Sequence, residues 1–370
     1  MHADATKAAT LTKTTPHTKP STEVPRTMRA VVLREFGAPE VLKLEDVPAP
    51  DPEALADNEV LIKTRSCGVC YHDIINRRGD LPRTRVPSIL GHEIAGDVVA
   101  VGGAVAKFQP GDRVASVQRV HCNHCAICDD QRPTLCKDGV FFGEEIPGGY
   151  AEYTVSPAHG LAQIPDSIPY AEASICACTI GTAIHVAQRG RVTARDTVLI
   201  TGASGGVGLH AIQICKLAGA RVIAITSSPE KADRLRQAGA DEVIPAPDLR
   251  FSKTVKEVTA DHGADVVFEI TGSLTFEESV RSLAVGGRLV MVGNLETHTV
   301  GFMPGLMILK ELEFIGSFAT TTEELAEAFR LVERGAIRPI LAATLPLEEA
   351  AKAHQMLFDR QVTGRLTLEI

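Results

Sequence analysis

The chain of 370 residues is predicted to be an α/β protein with two domains. One domain is rich in strands and loops, and the other is built on a doubly wound parallel sheet. Three observations lead there. The length exceeds what one hydrophobic core usually serves. Between Met28 and about Val155 the apolar runs are short, and Gly and Pro punctuate them every few residues. Beyond Asp196 short apolar runs alternate with helical segments of about 10–15 residues, the pattern of βαβ units.

Taken in order, residues 1–27 are rich in Thr, Lys and Pro and show no period, which predicts a disordered extension. They hold no apolar signal-peptide core, so a cytoplasmic protein is expected. An organelle transit peptide is the rival reading, weakened by the acidic Asp4 and Glu23 and the single arginine, Arg26. "MRAVVL" opens the folded part at Met28. "EVLIKTRSCGVC", "EIAGDVVAVG", "DRVASV" and "AEYTV" are Val- and Ile-rich strand candidates. "AEASICACTIGTAIHVAQRG" has helical spacing and stops at Gly190.

The alternation follows. Strands are expected at "DTVLITG", "RVIAIT", "ADVVFEITG", "GGRLVMVG" and "LEFIGSF", with helices at "GVGLHAIQICKLAGA" and "PEKADRLRQAGA". From about Thr322 the tail reads as a helix, a short strand region, the helix "EEAAKAHQMLF" and the strand "GRLTLEI". The formal charge of −8 argues against a nucleic-acid or anionic-membrane surface as the main partner. The most apolar stretch, Ala171 to Ala187, is too short and too polar to span a bilayer.

Four of the nine cysteines fall within "HCNHCAICDDQRPTLC". Cys122, Cys125, Cys128 and Cys136 follow C-x2-C-x2-C-x7-C, the spacing of a closed tetrahedral zinc site. Disulfides are the rival reading, but three half-cystines so close could hardly pair without strain. With every position filled by protein, such a site holds a loop and does no catalysis. The other cysteines are scattered. "CGVCYHD" offers Cys70, "GHEIAG" offers His92 with Glu93, and "CACTIG" offers Cys176 and Cys178. Singly, each reads as a buried hydrophobe or a core histidine. Two cysteines and one histidine together leave a fourth position open, as catalytic zinc sites do.

"VLITGASGGVGLHAIQICKLAGA" is a strand, a glycine-rich turn and a helix. Gly202, Gly205, Gly206, Val207 and Gly208 suit a pyrophosphate at the helix N-terminus. At the end of the next strand "AITSSPEKAD" offers Ser227 and Lys231 where an NAD site carries an acid, so NADP(H) is favoured over NAD(H).

These motifs, in this order from Met28 to Ile370, resemble the zinc-dependent medium-chain dehydrogenases of the alcohol dehydrogenase superfamily. "GHEIAGDVVAVGGAV" is similar to the family's zinc signature, "GVCYHD" to its first-ligand loop and the four-cysteine run to its structural zinc lobe. The resemblance implies a GroES-like catalytic domain over 28–182 and 319–370, a Rossmann domain over 183–318, and two zinc ions per chain. Cys70 and His92 become catalytic zinc ligands. The third is Cys178, because the family has Thr four residues after that ligand and Thr182 satisfies it. Glu93 lies beside the metal, Asp73 orients His92, and Arg365 reaches the pyrophosphate. One position departs: the family's Ser or Thr proton relay is replaced by His72, an imidazole able to take the proton directly. The remaining cysteines, Cys67, Cys176 and Cys215, have no role.

The implied activity is hydride transfer between NAD(P)H and an alcohol, aldehyde or ketone, in a homodimer or homotetramer. "GASGGVGLHAIQICKLAGA" and "TGSLTFEESVRSLAVGGRLVMVGN" also resemble acryloyl-CoA reductases of the superfamily, which implies NADPH-dependent reduction of an activated C=C, or of a quinone as in related reductases, as the alternative. A non-catalytic nucleotide sensor is the distant third, and an open Cys2His site argues against it.

Overall fold

A computed structural model describes residues 24–296 and 298–370. Most of the extension expected to be disordered, residues 1–23, lies outside the described residues. The strand expected at Met28 runs over Thr27–Leu33 and pairs antiparallel with Leu42–Pro48 and Ser88–Ile89.

The β-rich part centres on the long strand Glu59–Val69. Its sheet has the order Leu161–Gln163, Arg113–Ser116, Glu93–Val101, Glu59–Val69, Arg365–Glu369 and Leu341–Pro346, with Tyr153–Pro157 also pairing on Glu59–Val69. Two relationships here position the site. Gly68 pairs with Glu93, so the chain leading into Cys70 lies beside the chain leaving His92. The C-terminal strand returns antiparallel on the other side of Glu59–Val69, Leu366 against Val69.

The second sheet is fully parallel, in the order Glu242–Pro245, Arg221–Thr226, Thr197–Ile200, Ala264–Glu269, Leu283–Met291 and Glu313–Gly316. Val198, Leu199 and Ile200 are all buried, as expected of a strand covered on both faces. Numbered along the chain the order is 3-2-1-4-5-6, the doubly wound arrangement whose ligand crevice opens at the carboxyl ends of the strands. One apolar cluster runs from Val31 and Cys67 through Ile180 and Ala183 to Val198 and Leu209, so the two sheets share a core. Among the described residues no helix is long and apolar enough to cross a membrane.

Three elements differ from or add to the expectations. The helix Tyr71–Arg78 has a sequence too polar to announce itself. It is started by the Asp73 carboxylate accepting from Cys70 N–H at 2.8 Å and stopped by Gly79 in the left-handed region. The edge strand Glu242–Pro245 carries no period-two pattern and forms on the register of its neighbour. The helix expected over 171–190 runs from Tyr170 to Arg189 but widens into a π-helical turn at Cys176–Gly181. Such turns insert one residue and re-aim the side chains they carry.

Candidate active site

The four-cysteine loop closes as its spacing predicts. The Sγ–Sγ separations are 3.9 Å for Cys122–Cys128, 3.5 Å for Cys125–Cys128 and 3.8 Å for Cys125–Cys136. A tetrahedron with metal–sulfur bonds of about 2.3 Å has edges of about 3.8 Å, whereas a disulfide needs about 2.05 Å. All nine cysteines are free thiols. Arg119 braces the loop by donating to the carbonyls of Cys136 and Gly139 at 2.6 and 3.0 Å.

A second group forms where the strand Glu59–Val69, the strand Glu93–Val101 and the π-helical turn meet. Cys70, His92, Glu93 and Cys178 bring one ligand atom each to within 4.8 Å of one another. The sulfurs of Cys70 and Cys178 are 3.8 Å apart, again the edge of a tetrahedral site. The Cys178 hydrogen bond, Arg365 and His92 pull the Cys70 thiol below the ordinary thiol range against burial. His92 Nδ1 donates to Asp73 Oδ1 at 3.0 Å, which leaves the Nε2 lone pair facing the cluster. Both oxygens of the buried Glu93 carboxylate lack an aligned hydrogen bond among the described residues, and burial pushes its pKa up to about 7. Two thiols and an imidazole with its tautomer set from behind fit a zinc ion with an open position, and the Glu93 carboxylate stands beside them.

Of the two candidates for the third ligand, only Cys178 points into the group. Cys176 is buried and turned back, its thiol donating to Glu172 O at 3.2 Å. Cys67 and Cys215 are buried in the shared core.

His72 does stand at this group. Its ring centroid is 5.4 Å from that of His92, and it stacks on Phe141 at 4.7 Å. Its Nε2 lies 2.6 Å from Oε1 of the buried Glu144, whose other oxygen accepts from the half-exposed Arg83 at 3.1 Å. Burial opposes the charge of Glu144, but the His72 bond and Arg83 hold it below the usual carboxylate range. Glu144 was missed by sequence reasoning. It lies 72 residues from His72, and "FFGEEIPGG" carries no spacing that would single out one acid.

The glycine turn joins the strand Thr197–Ile200 to the helix Gly206–Leu217. Gly202 and Gly205 are exposed while Gly206 and Gly208 are buried, with Val207 partly so. A Cβ at Gly206 would stand 2.9 Å from the Arg365 guanidinium carbon, so a side chain there would have to displace the guanidinium. Arg365 itself is buried. Its Nη2 is 3.1 Å from Glu93 Oε1 and 3.5 Å from Cys178 Sγ, and its Nε lacks a partner among the described residues. The residue expected to serve the pyrophosphate therefore also belongs to the metal group. Ser227 is partly exposed at the carboxyl end of Arg221–Thr226. Lys231 departs from its expected part. Its half-buried ammonium donates to the carbonyls of Arg360 and Val362 at 2.5 and 2.9 Å, which makes it a clamp on the turn before the last strand.

Comparison with known proteins agrees in family. The model described as zinc-binding dehydrogenase matches residues 206–334, and that of the alcohol dehydrogenase GroES-like domain matches residues 56–166. An acryloyl-coenzyme A reductase of Metallosphaera sedula is 35% identical over 92% of this chain and 99% of its own. Among solved structures, that of AibC is 53% identical with a TM-score of 0.86, covering 93% of this chain and 96% of the other. An NAD-dependent alcohol dehydrogenase is 34% identical with a TM-score of 0.83, covering 93% of this chain and all (100%) of the other.

Proposed function

The chain belongs to the zinc-binding, alcohol dehydrogenase-like family of oxidoreductases, and from that premise we propose that it is a zinc-dependent carbonyl reductase and alcohol dehydrogenase using NADP(H). The single observation that carries the reading is the approach of Cys70, His92 and Cys178 with the Nε2 lone pair of His92 facing the two sulfurs. These three would hold the catalytic zinc, with Glu93 beside it, and Cys122, Cys125, Cys128 and Cys136 would hold a structural one. The partition into a catalytic domain over 28–182 and 319–370 and a dinucleotide domain over 183–318 belongs to the same proposal.

A bound zinc supplies Lewis acidity that polarises a carbonyl and lowers the pKa of an alcohol. A bound dinucleotide would supply or receive the hydride. The chain's own residues do the rest. Asp73 keeps the His92 proton on Nδ1. The backbone N–H groups at the start of Gly206–Leu217, with Gly202, Gly205 and Val207, would seat the pyrophosphate, and the free Nε of Arg365 can donate to it. His72, beside the metal group, would take the alcohol proton, and Glu144, held by Arg83, accepts from its imidazolium until the part-exposed ring returns the proton to solvent. The preference for NADP(H) rests on the Ser227 hydroxyl and on the lack of a carboxylate at the end of that strand, since Lys231 is engaged elsewhere.

A second reading is favoured by a specific observation. The similarity to an acryloyl-coenzyme A reductase extends over 99% of that protein, and His72 stands in place of the hydroxyl relay. Under it the enzyme reduces the C=C of an unsaturated acyl thioester. The test is NADPH consumption with simple aldehydes and with acryloyl thioesters, before and after removal of the less tightly held zinc. Aldehyde turnover that disappears with the metal supports the first reading. Fast thioester reduction indifferent to the metal replaces it with the second.

A homodimer or homotetramer is part of the proposal. The strand Glu313–Gly316 ends its sheet with an open edge, and Met303, Ile308 and Leu309 beside it are 75–83% exposed. An edge of that kind flanked by apolar side chains is suited to pairing with a second copy.

A further inference from the structure

Behind Asp73 runs a chain of buried polar groups to which no part of the reaction has been assigned. The Asp73 carboxylate accepts from His92 Nδ1 at 3.0 Å, from Cys70 N–H at 2.8 Å and from Tyr150 O–H at 3.3 Å. His354 Nε2 lies 3.1 Å from the Tyr150 hydroxyl oxygen, and Arg77 Nη1 lies 3.4 Å from His354 Nδ1. All of these side chains are buried.

The direction of every proton in this chain follows from its far end. Arginine has only donors, so His354 Nδ1 accepts and the imidazole proton sits on Nε2. Nε2–H then donates to the Tyr150 oxygen, which leaves the tyrosine proton for Asp73. Asp73 in turn can only accept, and His92 must carry its proton on Nδ1. Burial lowers His354 to about 4, so near neutrality it is the neutral imidazole that this order needs. The packing is specific as well. Gly91, next to His92, has φ +96°, and a Cβ there would stand 2.5 Å from the Tyr150 ring. Arg77 and Asp73 are one turn apart on the helix Tyr71–Arg78, Tyr150 lies in a loop, and His354 comes from the C-terminal helix Ala350–Phe358.

We propose that Tyr150 and His354 are positioning residues for the second metal group, fixing the Asp73 carboxylate and through it the His92 tautomer that presents Nε2. This rests on the reading of Cys70, His92 and Cys178 as zinc ligands. It assigns the C-terminal helix a part in metal retention, because His354 is its only contribution to the donor chain.

The test is the release of zinc from the intact holoenzyme to a chromophoric chelator, which should show two phases. The phase missing in Cys178→Ser belongs to the second group, and the other phase, from the four-cysteine lobe, is an internal control. Partners that bond a metal-ligating histidine typically change metal affinity 10–100-fold, so groups one bond further away should speed that phase about 3–10-fold. This is expected for Tyr150→Phe and His354→Leu, with the lobe phase unchanged and with His354→Gln, which keeps a donor, restoring most of the loss. Rates equal to those of the unaltered enzyme in both variants would overturn the inference, as would equal acceleration of both phases. Tyr150→Phe decides alone should His354→Leu not fold. If Cys178→Ser removes no phase, the metal reading itself fails and this inference with it.

Discussion

Arg365 Nη2 and Glu93 Oε1 stand 3.1 Å apart in a buried ion pair, and the same guanidinium lies against Gly206 at the start of the dinucleotide helix. One positive charge therefore serves two groups, the thiols and carboxylate of the metal cluster on one side and the glycine turn on the other. Burial works against that charge, yet Glu93, Cys70 and Cys178 outweigh it and raise the Arg365 pKa further.

Arg365→Met should therefore damage both stability and cofactor binding. Removing one partner of a buried pair costs about 3–5 kcal/mol, because the other charge is left without compensation. The expected result is a clear fall in the unfolding midpoint together with a higher KM for the dinucleotide. An unchanged midpoint would show that Glu93 has another partner in the working enzyme.

Cys178 and Cys176 give a clean contrast. Under the proposed ligand assignment, Cys178→Ser should lose one zinc ion per chain relative to the unaltered enzyme and reduce turnover by about 100-fold or more. Cys176→Ser should leave both nearly unchanged, since that thiol only donates to Glu172 O. Metal analysis of the two purified variants checks this, and loss of zinc from Cys176→Ser instead would reverse the ligand assignment.

For the cofactor, Ser227→Asp should turn preference from NADPH towards NADH by roughly 100-fold, as a carboxylate repels a 2′-phosphate and bonds a 2′-hydroxyl. Lys231→Ala should lower the unfolding midpoint without a comparable change in the NADPH/NADH ratio of kcat/KM. The reason is that its ammonium is held by Arg360 and Val362 carbonyls. A ratio that collapses in Lys231→Ala would restore this residue to phosphate recognition.

His210 makes a prediction about pH. Its Nδ1 donates to Gly206 O at 2.6 Å and its Nε2 accepts from Ile340 N–H at 3.0 Å, so both nitrogens are used by the neutral ring. Burial lowers its pKa from 6.5 to about 4. Between those values the unfolded chain binds the extra proton and the folded one does not. The contribution is thus complete above about pH 6.5 and is lost as pH falls, by about 1.4 kcal/mol per unit and about 3 kcal/mol in all. The urea midpoint of the natural chain should exceed that of His210→Gln at pH 7, and the gap should narrow towards pH 5. A gap independent of pH would show that His210 titrates normally.

Much of this protein was readable because its information is local. The glycine turn, the strand before it and the helix after it lie within one stretch of chain, and the four-cysteine lobe is written in sixteen residues. Gathering cysteines separated by two, two and seven residues needs only a tight loop, so spacing suffices. The parallel sheet was legible for the same reason: its inner strands are continuous apolar runs, whereas the edge strand Glu242–Pro245 takes its form from a neighbour and was not.

What the sequence by itself determined is the set of parts: a strand, glycine-rich turn and helix, a local run of four cysteines, and the scattered Cys and His residues proposed as ligands of an open site. Tertiary structure alone decided how those parts meet. Pairing of Gly68 with Glu93 and of Leu366 with Val69 brings together Cys70, His92 and Arg365, which are far apart along the chain. The π-helical turn selects Cys178 over Cys176 by re-aiming one side chain. Glu144, Tyr150 and His354 acquire partners only across 72, 77 and 204 residues. Hydrogen bonds act over about 3 Å in space and carry no signature in sequence separation, so the polar groups that orient the site became visible only in the folded chain.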